Sequence, residues 1–206
     1  MGKRLKGWKQ ELKKHKNLIL LSVIFLIIAN TLNYLAGMYA ETKGDSAVSD
    51  LILDHIPAID LGFLFIYGFS FIIIVLFFYP LLYKVRELHV AISQFSLLVM
   101  IRSFFVSLTH LKMPVGAILS TDAPRLYALL DFQNALFFSG HTAVPFLGFL
   151  LFRKEKIGIF FLIATIVMAL TVLFMHVHYS IDVFAALFIA YGSYKIGNWL
   201  FKRVNN

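Results

Sequence analysis

Ser139-Gly140-His141-Thr142 and His176-Val177-His178-Tyr179-Ser180-Ile181-Asp182 hold the side chains of this chain best able to do chemistry. Each segment stands at the edge of a long apolar run. Ionisable groups at membrane depth are costly and are functional candidates by default. His178 and Asp182 are four residues apart, a spacing that puts both on one helical face. A carboxylate bonded to one imidazole nitrogen fixes the tautomer and leaves the other nitrogen to attack or to accept a proton. His141 is a second imidazole from a different segment, able to give a proton to a leaving oxygen. Ser139 and Gly140 stand where a helix begins, so free N–H groups and the helix dipole suit a phosphate there, and glycine lets the backbone come close. Arg102 offers a bidentate, charged clamp for phosphate oxygens. These are the parts of phosphoryl transfer through a phosphohistidine, without a metal.

Each residue also has an ordinary role. Ser139-Gly140 can simply start a helix. Arg102 can snorkel to an interface, and Asp182 can cap the helix that follows it. His176 and His178 do not share a helical face, so His176 is expected to pack or to hydrogen-bond. Thr142, Tyr179 and Asn134 are expected around the site, in support of it. His89 and His110 flank apolar runs at loop depth and receive no role. Asp54, His55 and Asp60 match no common ligand spacing, and neither a metal nor an organic cofactor is expected.

The elements that hold these side chains are expected to be membrane helices. The chain has 206 residues, of which 60% are hydrophobic and 22 are Phe. Its mean hydropathy is +0.81. A soluble domain of this size is usually less than half apolar. Cysteine is absent, which excludes disulfides and thiolate metal sites. A spanning helix needs about 20 apolar residues. Six runs meet or approach that length: 17–39, 61–83, 88–109, 136–152, 157–177 and 179–201. The expected fold is all-α, a polytopic bundle of six transmembrane helices. Residues 1–16 are a basic segment and 17–206 the membrane domain. No small-residue cleavage site follows the first run, so it reads as a retained span.

Charge gives an orientation. With the N-terminus in the cytoplasm, 15 of the 19 Lys and Arg fall on the inner side. The outer side keeps Lys43, Arg102, Lys112 and Arg125, together with Glu41, Asp45, Asp50, Asp54, Asp60, Asp122, Asp131 and Asp182. The positive-inside rule therefore puts both termini in the cytoplasm. The net charge of +8 is a topology signal, with anionic lipid as a second partner for the basic head, and no nucleic acid is expected. This orientation places Ser139-Gly140-His141, His178, Asp182 and Arg102 together on the extracytoplasmic side.

These residues resemble the type 2 phosphatidic acid phosphatase superfamily, which carries S-G-H and a later H-x-x-x-D. Here they are Ser139-Gly140-His141 and His178-Tyr179-Ser180-Ile181-Asp182. The narrower similarity is to the sphingomyelin synthase branch, with S-G-H-T and H-x-H-Y-[ST]-[IV]-D-V at Ser139 to Thr142 and His176 to Val183. Arg102 with Thr109-His110-Leu111-Lys112-Met113-Pro114 looks like that branch's third-span Arg and T-x-L-x-x-P. The resemblance implies His178 as nucleophile, Asp182 as its orienting partner and His141 as the group serving the leaving oxygen. It implies transfer of a phospho-head-group from a phospholipid to a lipid alcohol such as ceramide or diacylglycerol, with membrane lipids as partners.

The departures are specific. The broad family's Arg six residues before the second catalytic His is Val172 here, and Lys112, Pro124 and Arg125 do not form its Lys…Arg-Pro motif. Fewer cations suit a phosphodiester better than a more highly charged monoester. Asn134 stands where the synthase branch often has an acidic residue. Small size and the lack of an accessory soluble domain point to a bacterial plasma membrane over a eukaryotic secretory one. Two alternatives stay open: a lipid phosphate phosphatase with water as acceptor, and a non-enzymatic lipid or head-group transporter.

Overall fold

The computed structural model describes residues 2–44, 46–119, 132 and 134–202, with backbone alone at 2–6 and 202. Asp45, Asp122, Pro124, Arg125, Asp131 and Arg203, and the side chains of Lys3, Arg4, Lys6 and Lys202, lie outside the described residues. The chain is 76% helix with no strand among the described residues. Six long helices carry it: α1 (Gly2–Glu41), α2 (Phe69–Tyr83), α3 (Val85–Leu108), α4 (Gly140–Phe152), α5 (Lys156–Phe174) and α6 (Ser180–Lys202).

Four of these are long and apolar enough to cross a membrane: Gly7–Glu41, Leu64–Tyr83, Val85–Leu108 and Lys156–Phe174. Their outward faces fit that reading. Leu20, Phe71, Ile163 and Ile166 are all more than half exposed. Apolar surface on this scale marks contact with lipid or a partner. α4 has 13 residues and so rises only about 20 Å, short of a bilayer core. α6 has 23 residues, but Asp182, Asn198 and Lys195 make it more polar.

The helix borders differ from those read in the sequence at three places. α1 runs unbroken from Gly2 to Glu41, so the helix begins within the basic head and continues into the apolar run. The run at 136–152 becomes helical only at Gly140, because Ser139 is extended (φ −62°, ψ 111°). The run at 157–177 stops at Phe174, and residues 175–179 form a turn before α6.

Packing follows small residues. α1 lies along α3, and α4 packs on α5 and α6. A Cβ at Gly148 would stand 2.4 Å from the Phe161 ring, so glycine there sets the close approach of α4 to α5. Leu76, Phe138, Leu147, Phe161 and Met168 are fully buried in the central core. Glu155 accepts from Lys84 Nζ and Tyr79 Oη, tying the α4–α5 turn to the end of α2. Glu11 takes a bidentate pair from Arg86, at 2.8 Å for each bond, which anchors α1 to the start of α3.

Candidate functional site

The turn between α5 and α6 is built by its backbone. Val177 N donates to Val172 O and His176 N to Leu173 O, the two bonds of a Schellman motif. Val172 and Val177 pack in one cluster, the apolar contact that goes with that motif. His176 fills the left-handed position usually given to glycine, with φ 55°. Its Nδ1 lies 3.5 Å from Val115 O, next to Gly116, whose φ is +82°. The His176 side chain is 7% exposed and lies against the loop after α3.

α6 opens on this turn. Asp182, three residues past Tyr179, reaches back with Oδ2 to accept from Tyr179 N at 3.0 Å. That is the return half of a capping box. The same oxygen lies 3.4 Å from His178 Nδ1. Asp182 is fully buried, and its Oδ1 has no hydrogen-bond partner among the described residues. Asp50 supplies the next acceptor: its Oδ2 takes Ser180 N at 2.7 Å, while Oδ1 takes Ile52 N and Leu53 N. Burial alone would raise the Asp50 carboxyl, but the bonds from Ser180, Leu53 and Ile52 outweigh it and hold the group below the usual carboxylate range. Tyr179 donates through Oη to Lys112 O at 2.9 Å and accepts from Val48 N at 3.1 Å. The segments at Val48 and Lys112 are thus fastened to the turn that carries His178.

α4 begins beside that turn, since Ser139 N donates to Asp182 O. Ser139 and Thr142 are fully buried, with Thr142 Oγ1 3.3 Å from Ser139 Oγ. Gly140 faces Arg102, and a Cβ there would stand 3.5 Å from Nε. Arg102 donates Nε to Phe138 O, Nη1 to Asn33 Oδ1 and Nη2 to Ala135 O. Three of its five N–H groups thereby shape the approach to α4. His141 lies between two rings, 4.0 Å from Phe65 and 4.1 Å from Phe69. Phe65 belongs to a π-helical turn, Leu64–Gly68, at the head of α2. Such turns are rare and recur at functional sites.

His178, His141, Arg102 and Gly140 line one cavity of about 330 Å³. It continues past Asn33, Asn30, Phe69 and Ser70, between α1 and α2 and over α3. Two imidazoles, a guanidinium and a helix start thus face one space, the set needed to bind an anion, attack it and move a proton. Asn134 is elsewhere: its N and Nδ2 donate to the Glu41 carboxylate at the C-terminal end of α1. Asn33, Phe65 and Phe69 had no place in the sequence reading, and Asp50 entered it only through the charge count. Asn33 carried a usable signal, a carboxamide inside an apolar run.

Comparison of the chain with protein-family models, curated proteins and solved structures finds no match.

Proposed function

We propose that this chain is an integral-membrane lipid phosphotransferase of the type 2 phosphatidic acid phosphatase superfamily, similar to the sphingomyelin synthase branch. The observation that carries the reading is the shared cavity, which brings His178, His141 and Arg102 together from three parts of the chain and runs on between α1 and α2. A lipid whose head group reaches the histidines has room there for what hangs below it.

The chemistry follows from the atoms. Neutral His178 attacks the phosphorus of a phospholipid diester through the nitrogen remote from Asp182. The phosphorus–glycerol oxygen bond breaks, and His141 gives its proton to that oxygen, which leaves as diacylglycerol. The phosphoimidazolium keeps its Nδ1–H toward Asp182. A lipid alcohol, ceramide or diacylglycerol, then attacks phosphorus while His141 takes its proton. The phosphorus–nitrogen bond breaks and neutral His178 is restored. Arg102 pairs with the phosphate oxygens throughout.

The topology belongs to the same proposal. All six helices cross, both termini are cytoplasmic, and the site faces the extracytoplasmic side of a cell membrane, a bacterial plasma membrane in our reading. The excess of Lys and Arg on the inner turns supports this orientation. The short α4 then starts below the outer surface, which sinks Gly140 and His141 to lipid depth.

The test uses purified protein in mixed micelles with a fluorescent ceramide or diacylglycerol and unlabelled phospholipids. A new fluorescent phospholipid, absent with His178→Ala, is the expected result. Release of inorganic phosphate from phosphatidic acid without transfer would make the protein a phosphatase. Neither product, with no phosphate retained on denatured protein, would overturn the enzymatic reading.

A further inference from the structure

Asp182 orients His178, and the backbone at the head of α2 does the same for His141. That head is the π-helical turn Leu64–Gly68. In an α-helix Phe65 O would accept from Phe69 N, four residues on. Here Phe69 N donates instead to Leu64 O and Ile66 O, the carbonyls on either side, and passes Phe65 O by. Ile66 O also takes Ser70 Oγ, at 2.7 Å. The turn thus diverts one carbonyl, that of Phe65, from the helical ladder. A carbonyl at membrane depth that loses its helical donor takes another.

The other donor is His141, whose ring hydrogen-bonds the Phe65 backbone. Phe65 N is already spent on Leu61 O at 3.0 Å. The bond is therefore to the carbonyl, with an imidazole N–H donating. The Phe65 ring stacks on His141 at 4.0 Å and 15°, and Phe69, whose N–H is the one diverted, closes the other side at 4.1 Å. One π-turn gives His141 both its walls and its acceptor. His141 also lines the cavity that holds His178 and Arg102. With one ring nitrogen bonded to Phe65 O, only the other can trade protons with that cavity.

Resting on the phosphotransferase reading, we propose that the Phe65 carbonyl is the positioning group for His141: it holds one imidazole N–H through the whole cycle, so that the mobile proton always travels on the other nitrogen. The imidazolium gives that proton to the glycerol oxygen as the phosphorus–oxygen bond breaks. The nitrogen so bared takes the proton of the acceptor alcohol as the phosphorus–nitrogen bond breaks, and the imidazolium is restored. A carbonyl suits this task where a carboxylate suits His178. His178 bears positive charge as a phosphoimidazolium, and a carboxylate supports that charge. His141 must let a proton go, and a neutral acceptor orients the ring without binding the proton as tightly.

The experiment replaces single backbone amides of the full chain by esters. Ile66→its α-hydroxy acid turns the Phe65 carbonyl into an ester carbonyl, a weaker acceptor. The same exchange at Tyr67 weakens the Ile66 carbonyl, removes one helical N–H alike, and is the control. Nitrogen NMR of histidine-labelled protein near neutral pH reads the tautomer, and His141 is identified among the seven histidines by its loss in His141→Gln. Wild type is expected to hold neutral His141 in one tautomer by about tenfold, the scale of one hydrogen bond. The ester at 66 is expected to bring the two tautomers within about twofold and to lower kcat for transfer about fivefold. The ester at 67 is expected to change either by less than about twofold. Equal tautomers in wild type overturn the inference with no variant needed, and leave transfer standing. So do two esters that act alike, the signature of damage to the helix. Absence of transfer to any alcohol overturns the phosphotransferase reading, and this inference with it.

Discussion

Asp182 Oδ2 holds two groups at once, the Tyr179 N–H at 3.0 Å and His178 Nδ1 at 3.4 Å. The helix cap and the orientation of the imidazole are therefore one device. Asp182→Asn is expected to keep α6 capped, since the amide oxygen still accepts from Tyr179. It loses the charge that fixes the His178 tautomer and supports an imidazolium. Transfer rates in micelles are expected to fall by about 10²–10⁴, with thermal stability nearly unchanged. A variant as fast as wild type would remove Asp182 from the chemistry and leave it a cap.

His141 is clasped by Phe65 and Phe69, and its proposed task is to protonate a poor leaving group. That task disappears when the leaving group needs no proton. His141→Ala is expected to abolish turnover of a natural phospholipid yet still release p-nitrophenol in a burst from a p-nitrophenyl phosphodiester, because His178 can still be phosphorylated. Stopped-flow absorbance measures the burst. Its loss together with lipid turnover would show that His141 is needed for attack, not only for departure.

Arg102 is a brace as well as a clamp. Its three bonds to Asn33, Ala135 and Phe138 use the fork geometry of a guanidinium. Lysine keeps the charge but cannot span three acceptors so placed. Arg102→Lys is expected to raise KM for the phospholipid donor about tenfold or more, and to loosen residues 135–138, read as faster hydrogen exchange of their amides. Unchanged KM would mean that Arg102 serves the fold alone.

His176 occupies a backbone position that favours glycine. Its part in the H-x-H pattern is then conformational, and His176→Gly separates the two readings. That variant is expected to hold thermal stability within about 1 kcal/mol, relief of the left-handed strain offsetting the lost contact with Val115. Its transfer activity is expected to persist. His176→Val is expected to be clearly less stable, because a β-branched residue resists a positive φ. Loss of activity in a stable His176→Gly protein would assign the imidazole a chemical role.

The sequence displayed what is local and hid what is distant. Hydrophobic runs show in any window, so α1, α2, α3 and α5 were legible, and the four-residue spacing of His178 and Asp182 gave their pairing directly. The start of α4 was legible at Ser139-Gly140, although the apolar run itself reaches back to 136, because such a run looks alike whether helical or extended. The Schellman stop at His176 was missed because its usual glycine is absent. Asp50 was missed for a different reason. Its partner Ser180 lies 130 residues away, and no spacing rule links an acid in the loop after α1 to the first N–H of the last helix.

That distant tie yields the most discriminating stability test. Asp50 is ionised more readily in the fold than outside it, so its contribution is complete above the usual carboxylate range and fades as pH falls through the lowered native value. Asp50→Asn turns an amide toward Ser180 N–H and loses a charge-assisted bond, at a cost of about 1–3 kcal/mol near neutral pH. The gap in melting temperature between wild type and variant is expected to close as pH drops toward 3, measured in detergent by tryptophan fluorescence. A second variant isolates the bond itself. Ser180→Pro removes the N–H at the first position of α6, where proline suits the helix, and Ser180→Ala keeps it. If Asp50 acts on His178 by holding that N–H, Ser180→Pro lowers kcat as Asp50→Asn does, Ser180→Ala does not, and combining Asp50→Asn with Ser180→Pro adds little further loss. Fully additive losses would mean that the two residues serve the turn independently.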